Sequence, residues 1–188
     1  MITIGITGSI ASGKSTASKI ISSNRGPLFS ADKVVKRLYK KKSFKKLIAN
    51  KLKIKLNFKF KKELKKAILI KKNNLEKLEK IIHPLVRKEM FIFFKKNRKK
   101  KILFLEIPLL IESKLTKYFD KIIFIKASKG IRLNRYKSNG GKENLFVRLN
   151  AKQLLDTKKM KLCDYVVVNN KSLAILKKNI LNIIKKYE

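Results

Sequence analysis

The stretch Gly8-Ser9-Ile10-Ala11-Ser12-Gly13-Lys14-Ser15, entered from the apolar run Ile2-Thr3-Ile4-Gly5-Ile6, matches the pattern G-x-x-x-x-G-K-[ST] at every fixed position. Its context agrees with its letters. A short β-rich run precedes it, and Lys14 to Ser23 follows with Ala17, Ile20 and Ile21 at helical spacing, giving strand, loop and helix in order. Gly8 and Gly13 remove the Cβ atoms that would block close approach, so successive backbone N–H groups can turn inward toward phosphate oxygens. The helix beginning near Lys14 adds the positive end of its dipole. Lys14 is expected to reach β- and γ-phosphates as a point charge, and the Ser15 hydroxyl to be a Mg²⁺ ligand. The alternative is an ordinary Gly/Ser turn before a helix.

At 188 residues and 44% hydrophobic content, the chain fits one globular domain with room for a small insertion. No apolar run approaches the roughly 20 residues of a membrane span, and no basic segment precedes an apolar one at the N-terminus, so no membrane partner and a cytoplasmic location are expected. Cys163, the one cysteine, has no internal disulfide partner and borders an apolar run, as a small buried thiol would.

Lys and Arg number 50 against 12 Asp and Glu, a formal net charge of +38. Such a charge suggests phosphate contacts with nucleic acid. Its composition argues otherwise. Lys far outnumbers Arg, Ile and Asn are plentiful, and Trp is absent, the pattern expected where A/T-rich codons are favoured throughout a genome. The lysines run along the whole chain without the aromatic and Gly signatures of RNA-binding modules, so nucleic-acid binding is expected to be at most non-specific. The stretch Lys36 to Lys101 nevertheless holds 27 Lys/Arg against 4 Glu, a field that a partner with several phosphates would feel. These lysines alternate with Leu, Ile and Phe at helical spacing, as solvated helix faces do.

Short apolar runs at Ile2–Thr7, Leu28–Phe29, Ile102–Ile107, Ile122–Ile125 and Tyr165–Val168 read as strands separated by helical patterns. This is an α/β chain with an open parallel sheet and helices on both faces, where ligands bind beyond the C-terminal strand ends. Between Val34 and Asn97 no strand is evident, whereas Leu64, Ile68, Leu75, Leu78, Ile81 and Ile82 recur at helical spacings. Residues 34–101 are therefore expected to be a helical insertion, and residues 1–33 with 102–188 the core. Pro84 is expected near a helix start. Residues 129–161 contain the Gly140-Gly141 pair in a polar stretch and form a candidate lid.

The second strand ends in Phe29-Ser30-Ala31-Asp32, which puts an acidic group where it could serve as a base or metal-water ligand; a helix N-cap is the alternative. Glu106, after four apolar residues of the third strand, stands where a second acidic group approaches a metal's water shell, or else pairs with a lysine. Pro108 ends strand pairing, so that Leu109 and Leu110 are expected to wall an acceptor pocket. Arg132, Arg135 and Arg148 stand out in a lysine-rich chain, because guanidinium forks suit a transferring phosphoryl group. Function is favoured for Arg135 and Arg148, and surface solvation for Arg132. His83, the sole histidine, is either structural or a substrate contact.

Taken together, these segments resemble the dephospho-CoA kinase family across nearly the whole chain. Gly8–Thr16 is similar to that family's loop, and Ser30-Ala31-Asp32 to its D-A-D. His83-Pro84-Leu85-Val86 resembles its H-P-x-[IV], and Glu106-Ile107-Pro108-Leu109-Leu110-Ile111-Glu112 its D-[IV]-P-L-L-[FY]-E. Arg148-Leu149-Asn150-Ala151-Lys152-Gln153 and Cys163-Asp164-Tyr165-Val166-Val167-Val168-Asn169 are similar to its R-[IL]-x-x-Q and A-D-Y-V-I-x-N. The resemblance implies a P-loop NTPase core of three layers, α/β/α, with a helical CoA-binding insertion and a lid. It implies transfer of the γ-phosphoryl of MgATP to the ribose 3′-hydroxyl of dephospho-CoA. By the same resemblance Asp32 activates the hydroxyl, and Lys14 and Ser15 hold phosphates and Mg²⁺. The loop residues Gly8, Ser9, Ile10, Ala11, Ser12, Gly13 and Thr16 surround the nucleotide, Arg135 and Arg148 close on it, and Asn169 lies near adenine. His83, Pro108 and Leu109 border the acceptor, and Glu106 reaches the metal through water. A monomer is expected. The alternatives are another small-molecule phosphate-loop kinase, for a nucleoside or nucleotide, and a basic nucleic-acid-associated NTP-binding protein.

Five positions depart from the family pattern. Ser9 and Ala11 stand where Gly is frequent, which would stiffen the loop. Ser30 replaces the first Asp of D-A-D, and Glu106 replaces an Asp, lengthening its reach by one methylene. Asn139 occupies a lid position where a second arginine is common, leaving Lys137 or Lys142 to compensate as point charges.

Overall fold

Five strands alternate with helices along the chain: β1 (Ile2–Gly8), α1 (Lys14–Ser22), β2 (Leu28–Ser30), then α2 (Ala31–Leu38), α3 (Lys42–Leu52), α4 (Phe60–Ile70) and α5 (Lys72–Lys96). The remainder is β3 (Ile102–Glu106), β4 (Lys121–Lys126), α6 (Lys129–Ser138), α7 (Glu143–Ala151), α8 (Asp156–Met160), β5 (Tyr165–Val168) and α9 (Leu173–Ile184). This computed structural model describes residues 1–188, the side chain of Lys72 excepted. The chain separates into two compact units, Met1–Ser30 with Lys96–Glu188, and Ala31–Lys95.

In the first unit every strand pair is parallel and the order is β2-β3-β1-β4-β5. β1 and β3 are near-continuous apolar runs because both of their faces are covered, and every residue of β3 is buried. One apolar layer joins Ile4, Ile6, Ile102, Phe104, Ile123, Ile125 and Val167 of the sheet to Ala17 and Ile21 of α1 and Leu176, Ile180 and Ile184 of α9. Those helical positions recur three or four apart, the stripe the sequence pattern requires. On the other face, a Cβ on Gly5 would stand 2.7 Å from Leu110 Cδ1. Leu110 is fully buried there and belongs to the core, contrary to the expectation that it walls a pocket. The short segment after Pro108 folds back onto β1 and buries its second leucine, while Leu109 stays partly exposed.

The topology creates the site. After β1 the chain moves to the β3 side to lay down β2 and β3, then crosses β1 to place β4 and β5 on the far side. The order therefore reverses at β1, which opens a crevice at its C-terminal end. The phosphate-loop sequence begins at that end. Register brings Ser30 of β2 opposite Glu106 of β3, and Gly8 of β1 opposite Ile125 of β4.

The second unit is all helical. Its buried apolar side chains include Val34, Leu38, Phe44, Ile48, Leu52, Phe60 and Leu64, with the Tyr39 and Phe44 rings edge to face at 5.3 Å. Pro84 lies in the interior of the 25-residue α5, not near a helix start. An interior proline removes a hydrogen bond and costs about 3 kcal/mol. The apolar pattern nonetheless continues across it, with Leu78 before and Met90 after both buried, and that burial carries the helix through.

Candidate functional site

Residues 8–15 turn from β1 into α1 through a loop whose backbone is set by three positive φ values. Gly8 has φ 152° and Gly13 φ 93°, and a Cβ on Gly8 would lie 2.4 Å from the Ile125 carbonyl oxygen. A Cβ on Gly13 would lie 2.2 Å from Asn169 Nδ2. Neither position admits a side chain without displacement of a neighbour. Ala11 adopts φ 57° despite its Cβ, a left-handed conformation that costs about 1 to 2 kcal/mol for an L-residue. Ser12 N donates to Ser9 O at 3.1 Å and closes the turn. At the start of α1 the first-turn amides have no intrahelical acceptors and add the positive end of the helix dipole.

Two chemically active side chains lie on the first turn of α1. Lys14 is almost completely buried, and its Nζ donates to the Ser9 carbonyl at 2.8 Å, back across the loop it belongs to. Ser15 Oγ donates to Glu106 Oε1 at 2.5 Å. Glu106 is buried at the end of β3, so its carboxylate faces the loop from the neighbouring strand. The alternative that Glu106 pairs with a lysine gives way to this serine contact.

From the far side of the sheet, Asn169 follows β5 and donates from Nδ2 to Ser12 O at 2.8 Å. Arg135 of α6 donates to Ser12 O at 3.4 Å and to Asn169 O at 3.1 Å, which places its guanidinium beside Gly13. Arg148 is on α7 with its side chain exposed, and Thr16 is exposed on α1. Pro108 O accepts from Thr7 Oγ1 at 3.2 Å, fixing the turn after β3 to the end of β1. Asp32 and His83 both belong to the helical unit. Asp32 is exposed in the first turn of α2, one residue inside the helix, so it is not the N-cap. His83 is partly exposed on α5 and lines a recess of about 530 Å³ with Pro84, Arg87, Lys88, Phe91, Ile92 and Lys95.

The structure also brings forward residues to which sequence reasoning gave no role. Arg132 is buried, contrary to the surface position expected for it. It donates from Nε to Ala127 O at 3.1 Å and from Nη1 to Asn150 Oδ1 at 2.7 Å, and Nη1 also reaches Ile10 O at 3.5 Å. Burial pulls its pKa below the ordinary value, with Asp156 working in the opposite direction. Gln153 Oε1 accepts from Ile10 N at 3.0 Å, and Asp156 accepts from Ser9 Oγ in a short hydrogen bond. Lys159, wholly buried, pairs with Glu112 at 2.9 Å and donates to Ser9 Oγ at 3.4 Å. Gln153 and Glu112 each end a family-like segment, a signal present in the sequence. Asp156 and Lys159 lie outside those segments and read as solvated lid charges. Burial, chiefly, pushes the Cys163 thiol up to about 12, which keeps it protonated at neutral pH.

A buried carboxylate touching a loop serine, a lysine across the loop and an arginine beside its second glycine are groups of the kind that phosphoryl transfer uses. Comparison with known proteins agrees. A family model described as dephospho-CoA kinase matches residues 2–174. The dephospho-CoA kinase of Bartonella quintana is 37% identical over 187 residues, covering 97% of this chain and 96% of that protein. Among solved structures, the dephospho-CoA kinase from Campylobacter jejuni superposes with TM-score 0.69 at 25% identity, covering 98% of this chain and 96% of that one. A Thermus thermophilus crystal structure superposes with TM-score 0.79 at 25% identity, covering 100% and 98%.

Proposed function

Because this chain belongs to the dephospho-CoA kinase family, and so carries out ATP-dependent phosphorylation of dephospho-CoA, we propose that the loop from Gly8 to Thr16 holds the ATP phosphates. The γ-phosphoryl then passes to the ribose 3′-hydroxyl. The supporting observation is the buried Glu106 carboxylate in hydrogen bond with Ser15 Oγ at the end of β1's crevice, with Lys14 reaching back across the same loop. A nucleoside or nucleotide kinase, or a nucleic-acid-associated protein, is not favoured by a family match over residues 2–174.

In this reading Asp32 accepts the proton of the acceptor hydroxyl as its oxygen bonds to the γ-phosphorus and the bond to the ADP oxygen breaks. Asp32 follows two residues after Ser30, the register partner of Glu106, and is exposed in a helix first turn where an incoming hydroxyl could meet it. Lys14 exchanges the Ser9 carbonyl for phosphate oxygens. Arg135 and Arg148 neutralise charge that spreads over the transferring group, the former with guanidinium donors left after its two carbonyl contacts. Ser15 and Glu106 are hard oxygen donors in direct contact, a set that fits Mg²⁺, with Ser15 as ligand and Glu106 acting through water. When bound, the ion supplies positive charge to the phosphates. His83, Pro108 and Leu109 border dephospho-CoA, Asn169 stands on the nucleotide side, residues 34–101 form the CoA-binding insertion and residues 129–161 the lid. The working form is a cytoplasmic monomer.

The substitution Asp32→Asn tests the assignment of the base. Turnover is expected to fall by about a hundredfold or more with ATP affinity kept, since general-base catalysis contributes about 10² to 10⁴. Turnover at the wild-type level removes Asp32 from that role.

A further inference from the structure

We propose that Lys159 is a positioning residue that holds the phosphate loop in its nucleotide-accepting shape through Ser9, an inference that rests on the loop being the ATP site. Lys159 is fully buried, an environment in which an ammonium persists only with good partners. Its partners are Glu112 Oε1 at 2.9 Å and Ser9 Oγ at 3.4 Å. Ser9 Oγ in turn donates to Asp156. One loop hydroxyl is therefore held between a buried cation and a carboxylate, while the carbonyl of the same residue receives Lys14 Nζ. The next residue, Ile10, is held at both its amide, by Gln153, and its carbonyl, by Arg132. The first turn of the loop is thus gripped by side chains from α6, α8 and the segments around them. Ala11, which comes next, sits at φ 57°, a conformation that surrounding contacts must enforce. Lys159 sits beneath this grip, where it touches the loop and the carboxylate that follows β3.

Removing the ammonium leaves Ser9 Oγ with Asp156 alone and the partly buried Glu112 without its charge partner. The test must therefore separate positioning from stability. Lys159→Met alone unbalances Glu112, so Lys159→Met with Glu112→Gln removes both charges and recovers the fold. An Ile180→Ala variant, in the core on α9, serves as a control for destabilisation alone. ATP with Mg²⁺ is titrated calorimetrically into each protein, and melting temperatures are recorded. The expected result is ATP binding at least about tenfold weaker in both Lys159 variants, including the doubly substituted one with restored melting temperature, and unchanged in Ile180→Ala. Binding within about twofold of wild type in the doubly substituted protein would overturn the proposal, as would equal weakening in Ile180→Ala at matched loss of melting temperature. The readout is binding, so failure of the wild type to phosphorylate dephospho-CoA would count against the kinase reading and leave this test intact.

Discussion

Ser15 Oγ and Glu106 Oε1 are 2.5 Å apart, which links the first turn of α1 to the end of the central-sheet strand β3. The serine comes from the loop motif and the carboxylate from a strand far along the chain, and only the parallel pairing of β1 with β3 brings them together. Where the family pattern has Asp, the longer Glu reaches the serine directly.

The first prediction concerns that pair. Glu106→Gln keeps the shape and an acceptor but removes the charge, so turnover should fall by about 10- to 100-fold, the usual effect of losing a partner to a metal ligand. The Mg²⁺ concentration for half-maximal rate should rise with it. A variant with wild-type Mg²⁺ dependence would detach Glu106 from the metal site.

A second prediction follows from Gly13. An alanine there would place its Cβ 2.2 Å from Asn169 Nδ2 in a backbone of φ 93°. Strain of about 1 to 2 kcal/mol adds to about 1 kcal/mol for the lost contact of Asn169 with Ser12 O. At about 2 to 4 °C per kcal/mol for a chain of this size, Gly13→Ala should melt roughly 4 to 12 °C lower and lose ATP binding. An unchanged melting temperature would mean that the loop accommodates the side chain.

The fold was largely legible in the sequence for a physical reason. Parallel strands buried on both faces must be continuous apolar runs, and Ile102–Glu106 stood out for that reason, whereas the edge strand Tyr165–Val168, with Val166 and Val168 exposed, stood out by its β-branched residues. The loop was legible because Gly8 and Gly13 satisfy backbone demands that other residues cannot meet. What stayed hidden depended on distant partners. Lys159 reads as one lysine among many until Glu112, remote in sequence, is found beside it. Arg132 likewise reads as solvated until Asn150 and Ala127 O are in place. Pro84 misled because a residue that commonly marks a helix start is here carried inside α5 by burial on both sides of it.

The third prediction concerns acid stability. Thr3 donates from its hydroxyl and its amide to Asp120 Oδ2 at 2.7 and 2.8 Å, tying the start of β1 to the turn before β4. These hydrogen bonds, the hydroxyl's first, hold the Asp120 carboxyl below its ordinary value. A depressed folded pKa gives stability that is present at neutral pH and lost as pH falls through the ordinary carboxyl value near about 4 and then through the folded one. Because Asp120 is exposed, screening limits the effect to less than about 1 kcal/mol. Asp120→Asn should therefore lower the urea midpoint at pH 7, with the gap from wild type narrowing as pH falls below about 4. A gap that stays constant as pH falls would mean that ionisation of Asp120 contributes nothing.

ATP-dependent phosphorylation of dephospho-CoA at this loop releases one ADP for each acceptor hydroxyl phosphorylated. ADP release is measured with MgATP and dephospho-CoA, beside parallel reactions offering AMP, CMP or uridine, with Lys14→Ala as the control for contaminating kinase. ADP release should depend on dephospho-CoA and be lost in Lys14→Ala. No release with dephospho-CoA, accompanied by release with a nucleoside or nucleotide, would contradict this reading.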